Sequence, residues 1–141
     1  MSGAQTTAGE LSRAAGYGRA AAPVRLVHLG LGNFFRAHQA WYTDRAPDAG
    51  DWGYAAFTGR RAELADALNA QEGLYTLVTR AADGDRFEVL SSISRTHAGA
   101  DHEAWLGYLA GLVAEHRLDE DEAAEVAVDL VAGRPRSVFK L

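Results

Sequence analysis

Cysteine is absent from the 141 residues, which removes disulfides, thiolate zinc sites and cysteine nucleophiles together. Lysine is nearly absent as well. Of the 14 basic residues 13 are arginine, and Lys140 is the exception. Any chemistry that needs a lysine base therefore has one residue to draw on. No apolar run approaches the ~20 residues that a membrane-spanning helix requires. Residues 1–22 are small and polar and carry no apolar stretch of the kind found in a secretory leader, so the cytoplasm is the expected location. Positive charge is short too: 14 basic against 19 acidic residues leave a net charge of −5. Such a balance argues against a nucleic-acid-coating protein.

What is present is ordinary for a folded chain. Apolar residues make up 48% and charged residues 23%, a globular rather than a disordered composition. The length supports one domain with one core. Alanine occurs 28 times, which, with the arginine bias, points to a GC-rich bacterial gene and says little about fold.

Residues 1–22 read as a loose arm, with at most a short helix at Leu11 to Ala15, ended by Pro23. Val24 to Leu29 is a β-branched and leucine run closed by glycine, the pattern of a buried parallel strand. A helix is expected from Phe34 to Arg45, a second strand over Trp52 to Phe57 and a second helix over Arg61 to Gln71. Leu74 to Arg80 and Arg86 to Arg95 read as partners in a hairpin around Asp83-Gly84. Asp101 starts a further helix, and Asp119 with Glu122 marks the start of another. Gly133 and Pro135 close it, and Ser137 to Leu141 is a candidate terminal strand. The expected class is α/β, with the first two strands parallel and joined by a right-handed crossover.

The motif with chemistry in it is the strand, Gly30-Leu31-Gly32 and helix succession, the opening of a dinucleotide-binding βαβ unit. Gly30 permits a tight turn out of the strand. Gly32 has no side chain, so backbone can approach a pyrophosphate, and the amides that follow face the phosphates. The third glycine of the usual pattern would fall at position 35, which is Phe35. A tight turn that binds nothing is the competing reading.

The longer string Val27-His28-Leu29-Gly30-Leu31-Gly32-Asn33-Phe34-Phe35-Arg36-Ala37-His38-Gln39-Ala40 resembles the N-terminal signature of the mannitol dehydrogenase family, long-chain polyol dehydrogenases that include fructuronate and altronate oxidoreductases. Gln71 to Leu77 resembles a second segment of that family, and the likeness extends over residues 11–110. It implies a partial Rossmann-type, doubly wound nucleotide-binding domain over residues 23–110, after an arm over 1–22 and before an atypical helix-strand tail over 111–141. It further implies NAD(P) as cofactor, with Gly30, Leu31, Gly32, Asn33 and Phe34 as the nucleotide turn. Arg36 and His38 lie on the first helix, where hydrogen bonds within the domain are favoured over cofactor contact.

At the end of the second strand an acid would hold the ribose hydroxyls of NAD, and an arginine would take the 2′-phosphate of NADP. The sequence has Thr58-Gly59-Arg60-Arg61 there, with the nearest acid, Glu63, inside the helix. Arg60 and Arg61 therefore favour NADP, because a guanidinium matches phosphate bidentately. A solvated basic pair is the alternative.

The resemblance implies a catalytic lysine, asparagine and histidine in a second domain. Here Lys140 has one residue after it, and Asn33 and Asn69 are the only asparagines, so no catalytic residue is assigned. The tail, Glu115 to Glu125 and then Phe139 to Leu141, resembles the end of a zinc-type medium-chain polyol or alcohol dehydrogenase; an ordinary helix and strand is an even alternative. His97 and His102 are five apart and miss the helical spacing of paired ligands, so no metal is expected. Three functional readings follow. One is a truncated family member that retains the nucleotide site. Another is half of a split dehydrogenase whose substrate domain comes from a second chain. The third is a non-catalytic interaction or cofactor-sensing module.

Overall fold

The architecture is organised around β2 (Gly53–Phe57), which is buried at every position. In the computed structural model, residues 11–59, 61–115 and 118–132 are described. β2 lies between β1 (Val24–Leu29) and β5 (Ile93–His97), parallel to both. Val27 sits opposite Ala55 and Leu29 opposite Phe57; Ala56 sits opposite Thr96. Because side chains alternate along a strand, β2 feeds two cores. Tyr54 and Ala56 join Leu31, Phe35, Ala40, Leu68 and Ile93 on one face. Phe57 joins Trp105, Leu109, Leu118 and Val126 on the other.

The first core brings in α1 (Asn33–Ala37), α2 (Gln39–Arg45) and α3 (Glu63–Ala70). The second brings in α4 (His102–Ala114) and α5 (Glu120–Val131). Helices on both faces of a parallel sheet are the expected α/β arrangement of a doubly wound fold. Ala55 and Ala56 are wholly buried, and their small side chains let both helical layers approach the sheet. α4 and α5 begin where the acidic residues suggest: Asp101 Oδ1 accepts from the Ala104 amide, and Asp119 Oδ1 from the Glu122 amide.

Four expectations need correction. The helix read as continuous from Phe34 to Arg45 breaks at His38, whose φ of −119° and ψ of −86° are not helical. The His38 ring stacks on Phe34 at 4.1 Å, and its Nδ1 lies 2.8 Å from the Phe34 carbonyl. The strand read as Arg86 to Arg95 is two strands. β4 (Gly84–Leu90) pairs antiparallel with β3 (Tyr75–Ala81) in a separate ribbon, while β5 joins the parallel sheet. The cause is a corner at Ser91–Ser92, both buried: Ser92 Oγ donates to the Ala40 carbonyl at 2.7 Å, and the Ser91 amide donates to Asp44 Oδ1 at 3.0 Å. The hairpin turn closes with Ala81 opposite Gly84, so Gly84, at φ +125°, is the first residue of β4 rather than a central turn residue.

Residues 11–22 are also not a loose arm. Leu11 to Ala15 forms turns rather than a helix, and the segment is tied to the body. Arg19 pairs with Asp44 at 2.7 Å, and Ser94 Oγ donates to the Ala22 carbonyl at 2.7 Å. The expected strand at Ser137 to Leu141 and the closing Gly133 and Pro135 lie outside the described residues. Among the described residues no helix is long and apolar enough to cross a membrane.

Candidate nucleotide-binding cleft

β1 runs into Gly30, whose φ of +130° lies in the region that favours glycine. The Gly30 amide donates to the Phe57 carbonyl at 2.8 Å, so the turn leaves β1 only after pairing with the end of β2. Leu31 then turns inward and is 2% exposed. Gly32 precedes α1 with extended backbone, and a Cβ placed on it would meet nothing within 4 Å. Among the described residues its bareness therefore serves no packing contact.

A cleft of about 470 Å³ opens at this point, lined by Leu31, Gly32, Thr58, Gly59, Arg61 and Leu64. It lies at the carboxyl ends of β1 and β2, between the turn that leads to α1 and the turn that leads to α3. Among the described residues Arg61 is the only charged side chain in the lining, and none of them is a carboxylate. α1 and α3 have no side-chain cap, whereas α4 and α5 are capped by aspartates. The helix starts beside the cleft thus keep amides that no side chain satisfies.

The glycine turn is braced from behind. Arg36 Nε donates to the Leu31 carbonyl at 3.1 Å, and Arg36 Nη2 donates to Asn33 Oδ1 at 2.6 Å. The Tyr75 hydroxyl on β3 donates to the Arg36 carbonyl at 2.6 Å. Burial raises the Tyr75 pKa far above its ordinary value, so this donor keeps its proton. Arg36 and His38 make hydrogen bonds within the domain, the reading favoured for them on sequence.

Of the residues proposed from sequence, the cleft brings together Leu31, Gly32 and Arg61. Gly30 shapes the turn. Asn33 is engaged with Arg36, and Phe34 is 69% exposed and stacked on His38; neither is in the lining. Arg60 lies outside the described residues. Sequence reasoning passed over Leu64, which is an ordinary apolar helix position. It also passed over Gly99, on the turn after β5, where an added Cβ would come within 2.2 Å of the Thr58 carbonyl oxygen. A glycine just before the Asp101 cap was the available signal. Among the described residues no group of three His, Asp or Glu side chains could hold a metal ion.

The model of the mannitol dehydrogenase Rossmann domain matches residues 24–110. An uncharacterized oxidoreductase of Escherichia coli, YeiQ, is 40% identical over 82 residues, covering 55% of this chain and 16% of that protein. D-arabinitol 4-dehydrogenase of Klebsiella pneumoniae is 43% identical over 74 residues, covering 49% of this chain and 16% of that one. Among solved structures, Pseudomonas fluorescens mannitol 2-dehydrogenase, in a ternary complex with NAD and D-mannitol, superposes with a TM-score of 0.55 at 31% identity. That match covers 63% of this chain and 20% of the other. The likeness to each of these proteins thus spans a fifth of its length or less.

Proposed function

The chain belongs to the mannitol dehydrogenase family, and from that premise we propose that it is the nucleotide-binding portion of an NAD(P)-dependent polyol or sugar-acid oxidoreductase, of the mannitol-to-fructose type. The observation that carries the reading is the cleft at the carboxyl ends of β1 and β2, where ligands bind in open parallel sheets. Its residues fit a dinucleotide. The open space at Gly32 admits a pyrophosphate, and the uncapped amides at Asn33 and Phe34 are donors for it. α1 is only five residues long, so these amides, more than a helix dipole, would supply the attraction. Gly30 holds the turn open and Leu31 closes the cleft floor. A dinucleotide held there would supply hydride transfer to or from the substrate carbon.

The finer reading is that NADP is preferred to NAD. Arg61 is the sole charged group in the lining among the described residues, at the end of β2 where the adenosine ribose would lie, and Arg60 precedes it in sequence. A bidentate arginine–phosphate contact contributes roughly 1.5–3 kcal/mol over a neutral partner.

The chain's own residues bind and orient; they do not supply the proton chemistry. Asn69 donates to the Thr96 carbonyl and accepts from the Thr96 amide, and Asn33 is held by Arg36. Asn69 is thus committed to the Thr96 backbone, Asn33 sits on the nucleotide turn, and Lys140 is the only lysine. The polyol site therefore comes from residues outside this stretch, on a second chain or a further segment. Calorimetric titration with NADP and NAD tests the reading. Binding of either, lost in Gly32→Val, is expected, with no turnover of mannitol, arabinitol or fructuronate. Absence of binding to both nucleotides by the folded chain overturns it in favour of an interaction module.

A further inference from the structure

We propose that Gly99, which lines no part of the cleft, is a positioning residue that sets the β2–α3 turn and so decides which nucleotide the cleft accepts; this rests on the NADP reading above. The contact is backbone on backbone. A Cβ at Gly99 would lie 2.2 Å from the Thr58 carbonyl oxygen and 2.4 Å from that of Gly59, closer than real Cβ atoms come. A flexible side chain could rotate away; a carbonyl cannot move without carrying its chain along. On the cleft side, the same peptide is bare: a Cβ at Gly59 would meet nothing within 4 Å. The Thr58–Gly59 segment is thus pressed from behind by one glycine and offers another to the ligand.

Two hydrogen bonds hold the turns together. The Thr58 amide donates to the His97 carbonyl at 2.9 Å, and the Gly99 amide donates to Thr58 Oγ1 at 3.2 Å. The turn carrying Gly99 is itself anchored to α4. His97 Nε2 and the Tyr108 hydroxyl are 2.8 Å apart, the Phe57 ring stacks on His97 at 5.0 Å, and the Asp101 amide donates to the Ala98 carbonyl at 3.0 Å. With the rear support fixed, displacement falls on Thr58 and Gly59, and Arg61 follows two residues later. Bidentate recognition of a phosphate depends on geometry held to within ~0.5 Å, whereas ribose hydroxyls are satisfied by looser donors. A shift of the turn therefore costs NADP more than NAD.

The test uses the full chain, unmodified and as Gly99→Ala, Thr58→Val and Thr58→Ser, with calorimetric affinities for NADP and NAD and amide hydrogen exchange without nucleotide. Gly99→Ala is expected to cut the NADP-to-NAD affinity ratio by about tenfold and to speed exchange at the amides of positions 58 and 99, which are hydrogen-bonded in the unmodified chain. Thr58→Val, which loses the acceptor for the Gly99 amide, moves both readouts the same way, and Thr58→Ser restores them. A folded Gly99→Ala with unchanged ratio and exchange overturns the proposal, as does equal loss of both nucleotides. Should the unmodified chain bind neither nucleotide or favour NAD, the cofactor reading has failed, and exchange alone decides the positioning: faster supports it, unchanged overturns it. If Gly99→Ala does not fold, the Thr58 pair decides on the same terms.

Discussion

Arg13 grips Glu72 from both ends. Its amide donates to the Glu72 carboxylate, and its Nε donates to the Glu72 carbonyl at 3.1 Å. Glu72 has φ +58°, the one positive value at a non-glycine among the described residues, so the clasp holds a backbone conformation that a side chain disfavours. The same guanidinium reaches the Arg19 carbonyl and donates to those of Ser91 and Ile93 at 3.2 and 3.0 Å. It thereby fastens the N-terminal segment to the corner between β4 and β5.

Arg13→Ala should therefore destabilise the chain by about 2–4 kcal/mol, since it orphans several part-buried carbonyls at once. Arg13→Lys should recover less than half, because an ammonium lacks the planar fork. Urea denaturation measures both. A loss under about 0.5 kcal/mol, the range of ordinary surface changes, would show the clasp to be ornamental.

The two glycines of the turn should separate stability from binding. Gly30→Val forces a β-branched residue to φ +130° and should cost about 1–3 kcal/mol. Gly32→Val meets open space and should leave Tm unchanged while abolishing nucleotide binding. Thermal unfolding with and without nucleotide reads both; equal destabilisation by the two variants would contradict the assignment.

Arg61→Ala should weaken NADP by about tenfold or more and leave NAD nearly unchanged. Titration calorimetry at fixed salt is the measurement. If both affinities change together, Arg61 is a general electrostatic aid rather than a reader of the 2′-phosphate.

Acid should weaken the fold through His97. Burial pushes its pKa below the ordinary value of 6.5, with Asp101 opposing and Arg95 assisting. The unfolded chain then binds more protons than the folded one in the window below 6.5, so this contribution is intact above it and is lost as pH falls toward the folded value. Tm should drop between about pH 7.5 and pH 5.5, and the drop should be smaller in His97→Gln. An identical slope in the variant would assign the dependence to other groups.

The parts legible in the sequence are those governed by neighbours along the chain. The apolar run of β1, the glycine turn and the aspartate caps of α4 and α5 each follow from local pattern. The parts that were not legible depend on distant partners. Nothing near Ser92 reveals that its hydroxyl will meet the carbonyl of Ala40, so the corner that frees β5 from the hairpin stays hidden within one long β-prone run. The break at His38 is the exception: its ring stacks back on Phe34, one turn earlier, a local contact that the helical spacing of apolar residues does not announce. At the cleft, Gly32 and Arg61 were visible as a motif and a charge at the expected distance. Gly99 was not, because its significance is the proximity of a carbonyl brought in from another strand.

The antiparallel ribbon of β3 and β4 has a consequence for the order in which the chain organises itself. All seven of its paired positions lie within one continuous stretch, from Tyr75 opposite Leu90 to Ala81 opposite Gly84. Hairpins of this kind close in ~1–10 μs. The parallel pairing of β1 with β2 must first bring together the ends of the chain between Leu29 and Gly53, and that of β2 with β5 must enclose the whole ribbon, a larger loss of chain freedom before any contact forms. The ribbon is thus built early and carried inside the loop that β5 closes. The nucleotide cleft, which needs β1 and β2 in register, waits on the first of these two closures, so the part of the molecule that binds takes shape after the ribbon.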